Sequence, residues 1–337
     1  MKALLSRQPG PPETLTLEEV PDLAPKPGQA VIRVEACGAN FPDVLLLEDR
    51  YQIRPPRPFS PGAEVAGIVE SVGEGVTVPK VGDRVMAICS WGGMAEQLAV
   101  EAERCLPVPG SMPLDDAAAL QLTYGTAYYG LKESGRLGSG DTLLVLGAAG
   151  GVGLAAVEIG KALGARVIAA VSTEAKATFA REAGADETVI YPRGPFDKAG
   201  LKDLAALFKG ACGAGANVIL DPVGGDYAEA ALRSIAKKGR YVIAGFTAGI
   251  PRVPFNLVLF KDAQIVGAPW GAVVAENIPA YRKAIDELLA LYEVGKIKPR
   301  IALRLPLERA QEGLERLLAR EAVGKIVITM DGGHGVV

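Results

Sequence analysis

The sequence predicts an α/β protein of two domains, a β-rich domain followed by a doubly wound parallel sheet. Three observations carry this expectation. The chain has 337 residues, more than the roughly 250–300 at which a single core gives way to two. Its first third runs in short apolar stretches broken by proline and glycine, whereas from Asp141 strands and helices alternate, the pattern of a parallel sheet covered by helices. With 49% hydrophobic and 22% charged residues, it has apolar material for two cores and lacks the composition of a disordered chain.

In chain order, the first domain (1–122) opens with Ala30-Val31-Ile32-Arg33-Val34-Glu35-Ala36, which partly alternates, and continues with runs at Val65–Val72, Arg84–Ile88 and Met94–Val100. A helical stretch spans about Pro113–Leu131, opened by Asp115 and Asp116 as suits a positive helix N-terminus. The second domain (123–267) has strands at Thr142–Gly147, Arg166–Val171, Glu187–Tyr191, Asn217–Asp221, Arg240–Gly245 and Gln264–Gly267. Helices are expected between the first five, at Val152–Leu163, Glu174–Ala183, Leu201–Lys209 and Tyr227–Lys237. The remainder, 268–337, adds helices near Ile278–Tyr292 and Leu307–Arg320 and a strand at Lys325–Thr329, and is expected to pack back on the first domain.

Charge excludes some partners. The net charge of −3, from 36 basic and 39 acidic residues, attracts neither nucleic acid nor an anionic membrane. Between Asp141 and Glu158 sixteen uncharged residues hold four glycines, short of the roughly 20 apolar residues of a membrane span. The start, Met1-Lys2-Ala3-Leu4-Leu5-Ser6-Arg7, turns polar before a signal-peptide core could form, so a cytoplasmic location is expected by default. Cys37, Cys89, Cys105 and Cys212 lie far apart in sequence and read as buried thiols. The single histidine, His334, sits in a glycine-rich tail, which argues against triad chemistry and histidine-held metals.

Ala148-Ala149-Gly150-Gly151-Val152-Gly153 follows a buried strand and runs into a helix. Small residues there let the backbone turn sharply, approach a pyrophosphate and seat helix on strand, while free amides at the helix start hold the phosphates. Gly150, Gly151 and Val152 are therefore candidate cofactor residues. An NAD site places an acid at the end of the second strand, but here the residues are Val171-Ser172-Thr173. Ser172 can bond a ribose 2′-phosphate and Lys176 can supply a cation, which points to NADPH, although Glu174 stands close by. Tyr191 and Arg193, after the third strand, either flank the adenosine or, for the tyrosine, simply pack.

With Asn40-Phe41-Pro42-Asp43, Pro61-Gly62-Ala63-Glu64 and Arg320-Glu321-Ala322-Val323-Gly324-Lys325, these features resemble the medium-chain dehydrogenase/reductase superfamily, and within it the zinc-free quinone oxidoreductases of the zeta-crystallin group. The resemblance spans nearly the whole chain. It implies a GroES-like first domain, a Rossmann domain, an active-site cleft between them, NADPH as donor and a homodimer. Zinc relatives have a cysteine ligand at the place of Asn40 and a histidine at that of Ala63, and a four-cysteine lobe where residues 96–109 offer only Cys105, so no metal is expected. By the same likeness Thr126 lies near the nicotinamide half of the cofactor, Phe246 beside the nicotinamide, and Val223 and Thr247 close by; interior packing is the alternative for each.

Without zinc, a hydride acceptor must already be electrophilic, such as a quinone or a conjugated carbonyl compound, and donors must meet the negative charge growing on its oxygen. Asn40 is a candidate donor and Asp43 a candidate for orienting it or a ribose; the pair also reads as a helix start. Many quinone reductases of the group carry a tyrosine where this chain has Leu45, while Tyr51 matches a tyrosine of related 2-enoyl thioester reductases. Enoyl thioester reduction is therefore a second reading, and a non-catalytic, crystallin-like NADPH-binding protein a third.

Overall fold

The computed structural model describes residues 1–330; His334 lies outside them. The chain divides into two compact units, Met1–Leu122 with the segment from Pro299 onward, and Thr123–Lys298.

Among the described residues the first unit is built on a seven-stranded sheet. Its strands run in the order Ile301–Pro306, Lys325–Thr329, Gln29–Ala39, Glu64–Val72, Arg84–Ile88 and Cys105–Pro107, with Gln97–Glu101 also pairing with Gln29–Ala39. Alternate residues of the long strand, Ile32 and Val34, point into a core shared with Val65, Val85, Ile326 and Ile328. The helices Phe41–Leu47 and Ala310–Leu318 close this core, the first through Val44, Leu46 and Leu47. The helix expected over Leu307–Arg320 is thus shorter, and the strand Ile301–Pro306 had no counterpart in the sequence reading.

The second unit is a six-stranded parallel sheet. Its spatial order is Glu187–Ile190, Arg166–Val171, Thr142–Leu146, Ala216–Asp221, Ile235–Ile243 and Gln264–Gly267. The central strands are mostly apolar because helices cover both faces, and Leu143, Leu144, Val145, Ile219 and Leu220 are wholly buried. Strand order reverses between Thr142–Leu146 and Ala216–Asp221, and doubly wound sheets bind ligands outside the carboxyl ends of strands at such a reversal.

Two expectations do not hold in the second unit. The helix from Tyr227 ends at Leu232, not Lys237, because Ile235 pairs with Ala216 and begins the next strand, which is bulged around the left-handed Lys238. The residues 268–298, expected with the first domain, belong to the second unit. Trp270 holds them there: it is 2% exposed, its ring lies 5.8 Å from that of Tyr281, and it presses so closely on the helix Thr123–Tyr128 that a Cβ on Gly125 would stand 2.3 Å from the indole.

Candidate dinucleotide-binding site

The turn after Thr142–Leu146 is shaped by contacts that only small residues permit. A Cβ on Gly153 would come within 2.2 Å of the Gly147 carbonyl oxygen and 2.7 Å of the Ala148 Cα, so the helix Gly151–Ala162 lies directly on the turn. Gly150 is the opposite case. Its Cβ would meet nothing nearer than the Gly147 oxygen at 3.5 Å, leaving its outer side open to a ligand. Gly151 and Val152, half-buried, form the helix's first turn, whose amides have no partner within the helix and favour an anion.

Beside this turn, Arg166–Val171 ends at the half-buried Ser172, and the helix Glu174–Glu182 starts two residues on. Thr173 caps that helix by accepting the Lys176 amide at 3.3 Å, which places the half-buried Lys176 side chain in the first turn. The nearby acid Glu174 is engaged by Arg181, which also reaches the Thr188 hydroxyl at 2.8 Å. Its negative charge is therefore partly answered before any phosphate arrives.

On the other side of the strand-order reversal the chain leaves Asp221 through Pro222-Val223-Gly224-Gly225. The Val223 side chain lies so near the glycine turn that a Cβ on Gly147 would be 2.8 Å from it. A second loop, from Ala244 to Gly249, runs alongside and carries Phe246, 44% exposed, and Thr247, whose hydroxyl donates to the Pro222 carbonyl at 3.3 Å. Gly150, Ser172, Val223, Phe246 and Thr247 thus all follow the carboxyl ends of neighbouring strands, at one end of the sheet. Thr126 is nearly buried in the helix Thr123–Tyr128. Tyr191 does not line this end. It is 6% exposed, packed on Phe208 and Tyr227 with ring centroids 5.9 and 5.0 Å away, and its hydroxyl meets the Gly147 amide. It supports the turn from beneath.

In the first unit, Asn40 and Asp43 are buried and committed to neighbours. Asn40 Nδ2 donates to the Gly38 carbonyl and to Glu64 Oε1, both at 2.9 Å, and its Oδ1 accepts from Lys325 Nζ at 2.8 Å. Lys325 also donates to Glu64 Oε1 at 2.5 Å and to the Ala39 carbonyl at 3.3 Å, while Glu64 Oε2 accepts the Leu122 amide at 2.9 Å. Asp43 accepts the Asn40 amide at 2.7 Å, as at a helix start, and the Gly62 amide at 3.1 Å. Burial pushes its pKa up to about 7, against the pull of these two bonds and of Lys325. Tyr51 is half-buried against the core, and burial, with the Asp43 charge, raises its phenol further. The ligand types that a metal at Asn40 and Ala63 would need are replaced by an amide and a methyl group.

Glu64 and Lys325 stand in the motifs that carry the resemblance, but the sequence alone gives no role to them or to Asp221 and Tyr241. Each is a polar group inside an apolar stretch, as in Ala63-Glu64-Val65 and Gly324-Lys325-Ile326-Val327, and a charge so placed signals a buried partner elsewhere in the chain. All four cysteines are buried, and among the described residues no cluster of histidine, cysteine and acids could hold a metal ion.

Residues 151–290 match the family described as zinc-binding dehydrogenase, and residues 26–110 the alcohol dehydrogenase GroES-like domain. The chain is 35% identical over 318 residues to quinone oxidoreductase-like protein 2 of Bos taurus, covering 94% of this chain and 89% of that one. A mycobacterial protein whose structure was solved in complex with NADPH is similar, with a TM-score of 0.89 and 31% identity over 98% of this chain and 99% of the other. Escherichia coli quinone oxidoreductase, also complexed with NADPH, gives a TM-score of 0.87 at 29% identity over 98% and 100%.

Proposed function

From the premise that this chain belongs to the quinone oxidoreductase family of the medium-chain dehydrogenase/reductases and is an NADPH-dependent oxidoreductase, we propose that it reduces quinones or conjugated carbonyl compounds without a metal. The observation that carries the cofactor half is the carboxyl end of the sheet itself. Gly150 leaves the space a pyrophosphate needs, and Ser172 and Lys176 stand where an NAD site has an acid. When bound there, NADPH supplies a hydride to the acceptor.

The chain's own residues do the rest. The amides of the first helical turn hold the pyrophosphate, Ser172 and Lys176 take the 2′-phosphate, and Val223, Phe246, Thr247 and Thr126 line the nicotinamide half. Metal independence is supported by Lys325: its ammonium already occupies the acceptors of Asn40 and Glu64, and this fixed positive charge repels a second cation. With its polar atoms spent on Gly38, Glu64 and Lys325, Asn40 serves by holding its loop, and Asp43 does the same through the Asn40 and Gly62 amides. Of the three acceptor-side candidates Tyr51 then has a hydroxyl to offer. Its raised pKa keeps it protonated, and so a donor, across the neutral range.

Tyr51 also favours a second reading, reduction of 2-enoyl thioesters, in which its phenol meets the enolate oxygen or carbon. NADPH oxidation measured with a quinone, a conjugated ketone and an enoyl thioester separates the two. Turnover of the quinone and ketone alone is expected; turnover of the thioester alone would replace the first reading with the second, and tight NADPH binding with no turnover would leave a binding protein.

We also read the protein as a homodimer. The strand Gln264–Gly267 is an open sheet edge, and next to it the helix Phe255–Lys261 buries none of its residues, leaving Phe255, Leu259 and Phe260 at least 75% exposed. A second copy pairing along that edge would cover both the unpaired backbone and the apolar patch.

A further inference from the structure

Asp221 ends the strand Ala216–Asp221 beside the reversal of strand order, and its side chain is 1% exposed. One carboxylate oxygen accepts the amides of Val223 at 2.7 Å and Gly224 at 2.8 Å. The other accepts the Tyr241 hydroxyl at 2.5 Å. Tyr241 is brought there by the neighbouring strand, where it pairs with Ile219 two residues before Asp221, and it is 3% exposed.

The turn held in this way cannot form from ordinary residues. Gly224 and Gly225 are both left-handed, with φ of 68° and 56°, and a Cβ on either would collide with the carbonyl oxygens of Gly249 or Ala248 at 2.5 and 2.8 Å. The approach is close because the two loops are laced together. The Gly225 amide donates to Gly249, that of Ala248 to Val223 at 2.7 Å, and that of Thr247 to Pro222 at 3.3 Å. Val223, Phe246 and Thr247 therefore sit on one ribbon, anchored at its root by Asp221. The cavity beneath, which Asp221, Tyr241 and Phe246 help to line, measures about 20 Å³, enough for about one water molecule and far below the size of a substrate pocket.

We propose that the buried Asp221–Tyr241 pair is a positioning device that fixes the paired loops carrying Val223, Phe246 and Thr247 against the nicotinamide half of the cofactor. This rests on the assignment of that end of the sheet to NADPH. Neither residue touches the cofactor; each acts through the backbone amides that the carboxylate holds.

The test compares two ligands by titration calorimetry: NADPH, and 2′-phospho-ADP-ribose, which lacks the nicotinamide. Tyr241→Phe removes one donor and is expected to weaken NADPH about fivefold or more while leaving 2′-phospho-ADP-ribose within about twofold of wild type. Asp221→Asn keeps an oxygen for the two amides and can donate to Tyr241, so it should retain most NADPH affinity. Asp221→Ala should lose it. A general loosening of the fold would weaken both ligands together, and that result overturns the proposal, as does Tyr241→Phe binding NADPH like wild type. A wild-type protein that binds neither ligand would instead overturn the cofactor assignment, and the proposal with it.

Discussion

Lys176 sits in the first turn of the helix after Ser172, its own amide fixed by the Thr173 hydroxyl. If its ammonium meets the 2′-phosphate, Lys176→Ala removes a charge-assisted bond that NADH never makes. NADPH affinity should fall roughly tenfold or more with NADH unchanged; equal losses in the two titrations would refute the assignment. Asp43 carries a different prediction. Its carboxyl, normally near 3.8, titrates at about 7 in the folded chain because burial outweighs its bonds to Asn40 and Gly62. A raised carboxylate pKa means the folded state holds the proton more tightly, so this group stabilises the fold at low pH and loses that contribution as pH rises from about 4 to 7. The destabilisation caused by Asp43→Asn should accordingly shrink between pH 5 and pH 7.5. A urea-midpoint difference that grows or stays constant over that range would count against it.

At the scale of elements, the glycine turn and its helix form one object. Gly153→Ala places a Cβ 2.2 Å from the Gly147 oxygen, so helix and turn must separate. A loss of stability of about 1–3 kcal/mol is expected, as for other overpacked sites, together with weakened NADPH binding; a thermal midpoint and affinity equal to wild type would show that the helix yields without cost. Elements of this kind are legible in sequence when composition and punctuation agree. Arg166–Val171, Gln264–Gly267 and Lys325–Thr329 are apolar or β-branched runs flanked by turn residues, and the structure has each with the expected bounds. Legibility fails where tertiary contact decides. Ala-Lys-Lys at 236–238 continues a helical pattern, yet pairing of Ile235 with Ala216 makes it strand. Ile301–Pro306 is half-exposed and weakly patterned, and exists because Lys325–Thr329 pairs beside it. Within the candidate site, the positions of the glycine turn before its helix and of Ser172 at a strand end could be read from local spacing. Lys325 could not be tied to Glu64, 261 residues away, because nothing local joins them.

For the whole molecule, the expected assembly is a dimer of twice the 35.1 kDa chain mass. Leu259 is 76% exposed, so Leu259→Asp should leave the monomer's fold intact and halve the mass seen by light scattering, since a buried unpaired carboxylate at an apolar interface is costly. A wild-type monomer, or an unchanged dimer in the variant, would place the contact elsewhere. The ion pair between Glu64 and Lys325 bears on a different matter, the order in which the molecule is made. The second unit, 123–298, is a continuous stretch and has been synthesised in full before the ribosome reaches residue 299. The first unit is started earlier but is completed only when residues 301–306 and 325–329 emerge to extend its sheet. Until then Glu64 lacks the counter-charge that its burial requires. Vectorial synthesis, which ordinarily lets the leading domain fold first, here leaves the leading half waiting on the trailing one.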